Sequence, residues 1–218
     1  MAKRFDLLVF DWDGTLYDST DSIARTLRAA CRDLGLPEPS EAESRHVIGL
    51  ELSLALRHIA PDLSGEGLQS LVSCYRRRYL EIDRDIRLFA GIPELIETLY
   101  ASGFLLAVAT GKGRSGLTRA FASCGLESCF AASRCGDECF SKPHPQMLEE
   151  LMDEFATPRE RTLMIGDTTH DLRMAVNAGV AGLAVSYGAH PRAELARLNP
   201  LACVDDVAQL ALWLKRNA

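Results

Sequence analysis

Short apolar runs alternate with amphipathic stretches along most of the chain, and this alternation predicts the fold. Residues 7–10 contain no polar position, as is typical of a parallel strand buried on both faces. Comparable runs predict four further strands, at 104–109, 130–133, 162–165 and 182–186. Helical patterns separate them, at 93–102, 115–123, 145–155, 169–178 and 205–215. Strands that alternate with helices indicate the α/β class, with a doubly wound, Rossmann-like parallel sheet.

One region departs from this alternation. Between the first strand and residue 85 only helical patterns occur, at 22–34, 41–47, 50–59 and 67–82. We therefore predict an all-helical cap domain over residues 19–85, inserted into an α/β core that comprises residues 1–18 and 86–218. Ligands of open α/β sheets bind beyond the carboxyl ends of the strands, so an insert that leaves from this edge would cover the site.

The first strand ends in the segment Asp11-Trp12-Asp13-Gly14-Thr15. Two carboxylates directly after a buried strand are costly unless they are paired or bind a cation. A calcium-binding loop also begins with this spacing, but it requires glycine at position six and glutamate at position twelve. Counted from Asp11, these positions hold Leu16 and Ser22, which argues against a calcium loop.

Polar groups follow the other strands at the same edge. Thr110 and Gly111 offer a hydroxyl and backbone N–H groups for an anion, and Lys142 offers a positive charge. Asp167 and Asp171 form a second acidic pair after an apolar strand. Carboxylate oxygens suit Mg²⁺, whereas lysine and N–H groups suit phosphate. The sequence therefore predicts a magnesium-dependent phosphoryl-transfer site.

These segments resemble the four motifs of the haloacid dehalogenase superfamily. Asp-Trp-Asp-Gly-Thr-Leu, the Thr110 strand end, Lys142-Pro143 and Gly166-Asp167-x-x-x-Asp171 correspond to the motifs in order, and the resemblance runs from residue 7 to about residue 188. An α-helical cap after the first motif is similar to that of phosphoglycolate phosphatases, β-phosphoglucomutases and haloacid dehalogenases. Dehalogenases typically lack the second acid, so Asp13 points to phosphate chemistry.

The resemblance also implies a role for each residue. Asp11 would attack phosphorus to form an aspartyl-phosphate, and Asp13 would act as general acid and base. Thr110 and Lys142 would stabilise the transferred phosphoryl group as catalytic residues. The Mg²⁺ ligands would be Asp11, Asp13 through its main-chain carbonyl, Asp167 and Asp171.

Substrate recognition is expected to involve Gly111 and the cap. Gly111 stands where many phosphoglycolate phosphatases have asparagine, which leaves a backbone N–H for the substrate but no side chain. Arg45 in the cap could clamp a substrate carboxylate. The expected partner is a small phosphorylated metabolite, with 2-phosphoglycolate as the first candidate. A phosphonate hydrolase needs a cap lysine, and the segment between Thr20 and Ile86 contains none.

Three alternatives remain open at this point. A phosphosugar mutase of the same superfamily would use the same aspartyl-phosphate, and a non-catalytic binding protein could share the fold. Residues 111–116 match G-x-G-x-x-G, the pattern of dinucleotide-binding oxidoreductases. That pattern normally follows the first strand of the fold, however, and it leaves the four aspartates unexplained.

Composition narrows the possible partners. Of the 218 residues, 47% are hydrophobic and 25% charged, as in soluble globular proteins. A formal net charge of −6 argues against nucleic-acid binding. No apolar run approaches the length of a membrane span, and the early acidic residues argue against a signal peptide. We expect a cytoplasmic protein with seven reduced cysteines, no membrane partner and an oligomeric state that the sequence does not indicate.

Overall fold

A six-stranded parallel sheet forms the centre of the molecule. The computed structural model describes residues 3–83 and 86–218. The strand order is β3-β2-β1-β4-β5-β6, and every pairing is parallel. The strands are β1 (Leu7–Phe10), β2 (Leu105–Thr110), β3 (Ala132–Cys135), β4 (Thr162–Gly166), β5 (Ala181–Val185) and β6 (Cys203–Val204). The predicted doubly wound α/β class is confirmed.

Ten α-helices are assigned within the described ranges. They are α1 (Thr20–Asp33), α2 (Glu41–His46), α3 (Leu52–Ile59), α4 (Gly65–Ile82), α5 (Ile92–Ala101), α6 (Arg114–Cys124), α7 (Gln146–Glu154), α8 (Thr169–Ala178), α9 (Arg192–Ala196) and α10 (Val207–Asn217). Short 3₁₀ turns at Glu127–Cys129 and Arg159–Arg161 precede β3 and β4.

The apolar character of β1 follows from its central position. It pairs with β2 on one side and with β4 on the other, and all four of its side chains are fully buried. Leu8 and Phe10 pack in the larger apolar cluster, whereas Leu7 and Val9 pack in a second cluster across the sheet. Because alternate side chains of a strand point to opposite faces, both faces need apolar residues.

Helices α1–α4, here called the helical insert, follow β1 without an intervening strand in the described residues. Leu27 of α1 and Leu71 of α4 are buried in the same cluster as Phe10 and Trp12. The insert therefore shares apolar packing with the sheet. Its treatment as a separate cap domain over residues 19–85 stays a prediction, and the boundaries drawn at residues 1 and 85 lie outside the described residues.

The two edge strands of the sheet, β3 and β6, differ in detail from the prediction. The third strand begins two residues later than expected, because the Phe130 N–H donates to the Glu127 carbonyl at 3.1 Å in the preceding 3₁₀ turn instead of to β2, while the Phe130 ring packs against other rings. Its ring centroid lies 6.5 Å from that of Phe10 and 5.5 Å from that of Phe121. The sequence analysis did not predict β6 or α9, which have two and five residues and show no clear periodicity.

Among the helices of the described residues, none combines the length and the hydropathy that a membrane span requires.

Candidate active site

Three buried aspartates meet at the carboxyl edge of the sheet. Asp11 follows β1, Asp167 follows the adjacent β4, and Asp171 lies in the first turn of α8. One carboxylate oxygen from each lies within 4.8 Å of the others. Lys142 joins them, with its Nζ 2.5 Å from Asp11 Oδ1 and 2.6 Å from Asp171 Oδ1. The structure thus brings together four residues from distant parts of the sequence.

The turn after β1 is shaped to approach Asp167. Gly14 has a φ of +89°, and a Cβ atom built on it would lie 2.2 Å from Asp167 Oδ2. Only glycine meets both constraints. Thr15 Oγ1 donates to Asp167 Oδ1 at 2.8 Å, and the Ala189 N–H donates to Oδ2 at 2.7 Å. These contacts fix the orientation of the Asp167 carboxylate.

Asp171 is held by the start of α8. The N–H and the hydroxyl of Thr168 donate to Asp171 Oδ2 at 3.0 and 2.6 Å, which forms a capping box. Its other oxygen accepts the bond from Lys142. Asp171 therefore caps the helix with one oxygen and contributes to the acidic cluster with the other.

The charges in this cluster do not balance. Three carboxylates face one lysine, so two negative charges remain when all are ionised. Burial raises the pKa of Asp11 well above its usual value, and burial together with the Asp171 charge raises the pKa of Asp167 to about 7. Asp11 Oδ2 has no hydrogen-bond partner in the described residues. A hard divalent cation fits this donor set, because it would supply the two missing charges.

The Asp13 carboxylate lies outside that cluster, in a second charged pair. Lys112 Nζ lies 3.0 and 3.1 Å from its two oxygens and 3.1 Å from Tyr79 Oη, and Ser19 Oγ donates to it at 2.7 Å. Burial alone would lower the pKa of Lys112, but Asp13 and Tyr79 outweigh burial and raise that pKa well above its usual value. A metal contact of Asp13 through its main-chain carbonyl stays a prediction.

Sequence analysis missed Lys112, although a signal was present. It lies two residues after Thr110, at the edge where the other site residues were found. The Lys112 N–H donates to Thr110 Oγ1 at 3.1 Å, so the two residues are linked directly. Through Tyr79 of α4, Lys112 also connects this edge of the sheet to the helical insert.

A cavity of about 200 Å³ lies between the insert and the sheet edge. Four of the predicted site residues, Asp11, Asp13, Thr110 and Gly111, line it, and their catalytic and binding roles stay predictions. Lys142 does not line the cavity, since its ammonium lies fully buried behind Asp11. Direct contact between Lys142 and a substrate phosphate stays a prediction, whereas its contact with Asp11 is present in the structure.

Arg45 is not brought to the site. Its guanidinium forms ion pairs with Asp21 and Glu41 on the outer side of the insert and does not line the cavity. Its proposed role as a carboxylate clamp receives no support from this placement.

The loop over residues 47–51, with the end of α2 before it, docks onto the sheet edge. The Glu51 N–H donates to Ser141 Oγ at 2.9 Å. The Nε2 atoms of His170 and His190 bond the His46 carbonyl at 2.8 and 3.2 Å. Ser141 and His170 are sequence neighbours of Lys142 and Asp171, so docking of the insert contacts the segments that carry the site.

Comparison with known proteins identifies the family of this chain. The family model described as haloacid dehalogenase-like hydrolase matches residues 8–185. The chain belongs to the haloacid dehalogenase-like hydrolase family. A Dickeya dadantii protein named "Probable phosphatase IndB" is 33% identical to this chain, and the alignment covers 94% of this chain and 91% of that protein. A Pseudomonas aeruginosa "5'-nucleotidase" is 32% identical, and the alignment covers 99% of this chain and 98% of that protein.

A solved structure extends the comparison. The crystal structure of a "predicted phosphoglycolate phosphatase" from Haemophilus somnus superposes on this hydrolase with a TM-score of 0.87 at 26% identity, covering 96% of this chain and 98% of the other. The resemblance drawn from the four motifs is confirmed, and with it the assignment of a haloacid dehalogenase-like hydrolase rather than a dinucleotide-binding oxidoreductase.

In this hydrolase, the glycine-rich segment after β2 serves docking of the insert. A Cβ atom on Gly111 would lie 2.4 Å from the Gly49 carbonyl oxygen and 2.5 Å from that of Leu50. Both are backbone atoms, so no side-chain rotation could make room. The absence of a side chain at position 111 therefore allows the 47–51 loop to pack directly on the end of β2.

Gly111→Ala is expected to lower kcat/KM by about tenfold or more, because overpacking costs about 1–3 kcal/mol and here acts on the docked insert. Gly65→Ala is the matched control, since a Cβ there meets open space in the same insert. Steady-state kinetics and small-angle scattering of both variants would measure activity and insert position. Wild-type kcat/KM in Gly111→Ala would show that turnover does not require the close contact.

Proposed function

We propose that this hydrolase is a Mg²⁺-dependent phosphomonoesterase that cleaves a small phosphorylated metabolite through an aspartyl-phosphate on Asp11. One observation carries the proposal: Asp11 lines the cavity, with Oδ1 held by Lys142 and Oδ2 without a hydrogen-bond partner in the described residues. A carboxylate positioned by one oxygen and unbonded at the other is suited to nucleophilic attack.

The chemistry would proceed in two steps. In the first, an Asp11 oxygen forms a bond to phosphorus and the ester P–O bond breaks. Asp13, which must carry a proton at this stage rather than pair as a carboxylate with Lys112, gives that proton to the departing alkoxide. In the second, Asp13 takes a proton from water, the water oxygen bonds to phosphorus, and the bond to Asp11 breaks to release inorganic phosphate. Asp13 lines the same cavity as Asp11, as this exchange of roles requires.

The cation would be held by Asp11 and Asp167, with Asp171 in support and the Asp13 main-chain carbonyl as a further ligand. When bound, it would offset the repulsion between a phosphate dianion and a carboxylate nucleophile. The two uncompensated charges of the aspartate cluster support this proposal. Thr110, the Gly111 N–H and Lys142 would add positive charge around the phosphoryl oxygens.

Other aspects of the proposal rest on the sequence. A cytoplasmic location and the absence of nucleic-acid or membrane partners stay predictions. Among substrates, 2-phosphoglycolate is the candidate that the resemblance suggests, and the H. somnus neighbour carries that substrate in its name. A phosphosugar mutase would share the first chemical step and differ in returning the phosphate to a sugar.

The first test is phosphate release from a panel of phosphomonoesters, with Mg²⁺ and again with excess EDTA. We expect release from at least one ester, loss of release with EDTA, and recovery when Mg²⁺ is restored. Undiminished release in EDTA would contradict the metal requirement. Conversion of a sugar phosphate to its isomer without release of phosphate would favour the mutase.

A further inference from the structure

Much of the cavity lining consists of apolar side chains of the insert, which we call the apolar wall. Leu27 of α1, Leu50 and Leu52 around the 47–51 loop, and Tyr75 of α4 contribute to it. Leu80, also on α4, lines the cavity while 49% exposed to solvent. The part of a substrate that extends away from its phosphate would contact these side chains.

The charged groups of the cavity are mainly negative. Among the described residues that line it, four are acidic and two are basic: Asp11, Asp13, Glu51, Asp137, Arg76 and Lys112. Lys112 is already paired with Asp13, and Arg76 is exposed to solvent. The Glu51 carboxylate accepts the Ser53 and Leu54 N–H groups at the start of α3, which fixes its negative charge near the apolar wall.

A carboxylate on the substrate would be poorly matched to this cavity. It would face apolar surface and more acidic than basic residues, and of the two basic residues Lys112 is paired with Asp13 and Arg76 is exposed to solvent, so its desolvation would be poorly compensated. Arg45, the residue expected to bind such a group, is paired outside the cavity. An uncharged apolar group would instead bury surface against the leucines and Tyr75, which is favourable in proportion to the area buried.

We propose that the alcohol portion of the substrate is uncharged and apolar, an alkyl or aryl group, and that 2-phosphoglycolate is a poor substrate. This inference rests on the proposed phosphomonoesterase function and specifies its substrate class. The aspartate cluster supplies the chemistry common to all phosphate esters, whereas the apolar wall selects among their alcohols.

The decisive comparison is between isobutyl phosphate and 2-phosphoglycolate, whose alcohol portions have similar shape but differ by a carboxylate. We expect kcat/KM with Mg²⁺ to be at least about tenfold higher for isobutyl phosphate. In a series from methyl to pentyl phosphate, kcat/KM should rise about two- to fourfold with each added CH₂ until the cavity is filled. Benzyl phosphate should also be a good substrate.

Leu52→Ala tests the wall itself. Removing this half-buried leucine should lower kcat/KM several-fold more for isobutyl phosphate than for 2-phosphoglycolate, and should flatten the alkyl series. Leu34→Ala is the matched control, because Leu34 is an exposed leucine of the insert that does not line the cavity. It should leave the preference unchanged.

The outcomes separate the two proposals. Hydrolysis with equal or greater kcat/KM for 2-phosphoglycolate would overturn the inference and leave the phosphatase function standing. An alkyl series without a trend, or a preference unaffected by Leu52→Ala, would also overturn it. Absence of hydrolysis of every ester in Mg²⁺ would overturn the phosphatase function and, with it, the inference.

Discussion

Asp11→Asn is expected to abolish turnover while leaving the fold intact. The substitution keeps the shape of the side chain but removes the oxygen nucleophile, so no aspartyl-phosphate can form. It also removes one of three mutually repelling charges, and Lys142 keeps Asp171 as its ion-pair partner, so the free energy of unfolding without metal should not fall. Phosphate release, denaturant unfolding and mass spectrometry of the quenched enzyme would measure the three effects.

Asp13→Asn is expected to give a contrasting result, which would identify Asp11 rather than Asp13 as the nucleophile. Loss of a general acid and base typically costs about 10²–10⁴-fold in rate, yet Asp11 remains to accept the phosphoryl group. A phosphorylated protein should therefore be detectable in Asp13→Asn and missing in Asp11→Asn. Asp62→Asn, at an exposed aspartate of the insert that does not line the cavity, is the control and should keep wild-type rates. Near-wild-type turnover in Asp11→Asn would rule out the covalent route.

The acidic cluster could be predicted because parallel strands impose a simple geometry. Asp11 and Asp167 are 156 positions apart, but each follows a strand, and β1 and β4 are neighbours with the same direction. Residues just beyond the carboxyl ends of such strands must lie close together. The apolar run of β1 was equally informative, because only a strand covered on both faces lacks polar positions.

Contacts of the insert could not be predicted in the same way. They depend on how four helices dock on the sheet edge. Helical periodicity shows which face of a helix is buried but not which surface it packs against. Arg45 could thus be placed near the site by sequence, while in the structure its guanidinium binds Asp21 and Glu41. The link from Lys112 to Tyr79 likewise joins a strand end to a helix 33 residues earlier and has no local signature.

Lys142→Met is expected to reduce kcat by about 10²-fold or more and to destabilise the metal-free protein. The methionine keeps much of the side-chain volume but leaves Asp11 and Asp171 without their shared cation. Removing one partner of a buried ion pair typically lowers the free energy of unfolding by about 3–5 kcal/mol. The loss of a fixed positive charge near the reacting group accounts for the lower rate. Denaturant unfolding without metal and steady-state kinetics with Mg²⁺ would measure the two effects.

The response to Mg²⁺ distinguishes loss of charge from loss of packing. With Lys142 removed, all three carboxylates lack a protein cation, so saturating Mg²⁺ should raise the free energy of unfolding more in Lys142→Met than in the wild type. A variant destabilised only by a packing defect would gain no more free energy of unfolding from Mg²⁺ than the wild type gains. Lys215→Met, at an exposed lysine of α10, is the control and should match the wild type in both conditions. An equal Mg²⁺ response in all three proteins would show that Lys142 does not neutralise the acidic cluster.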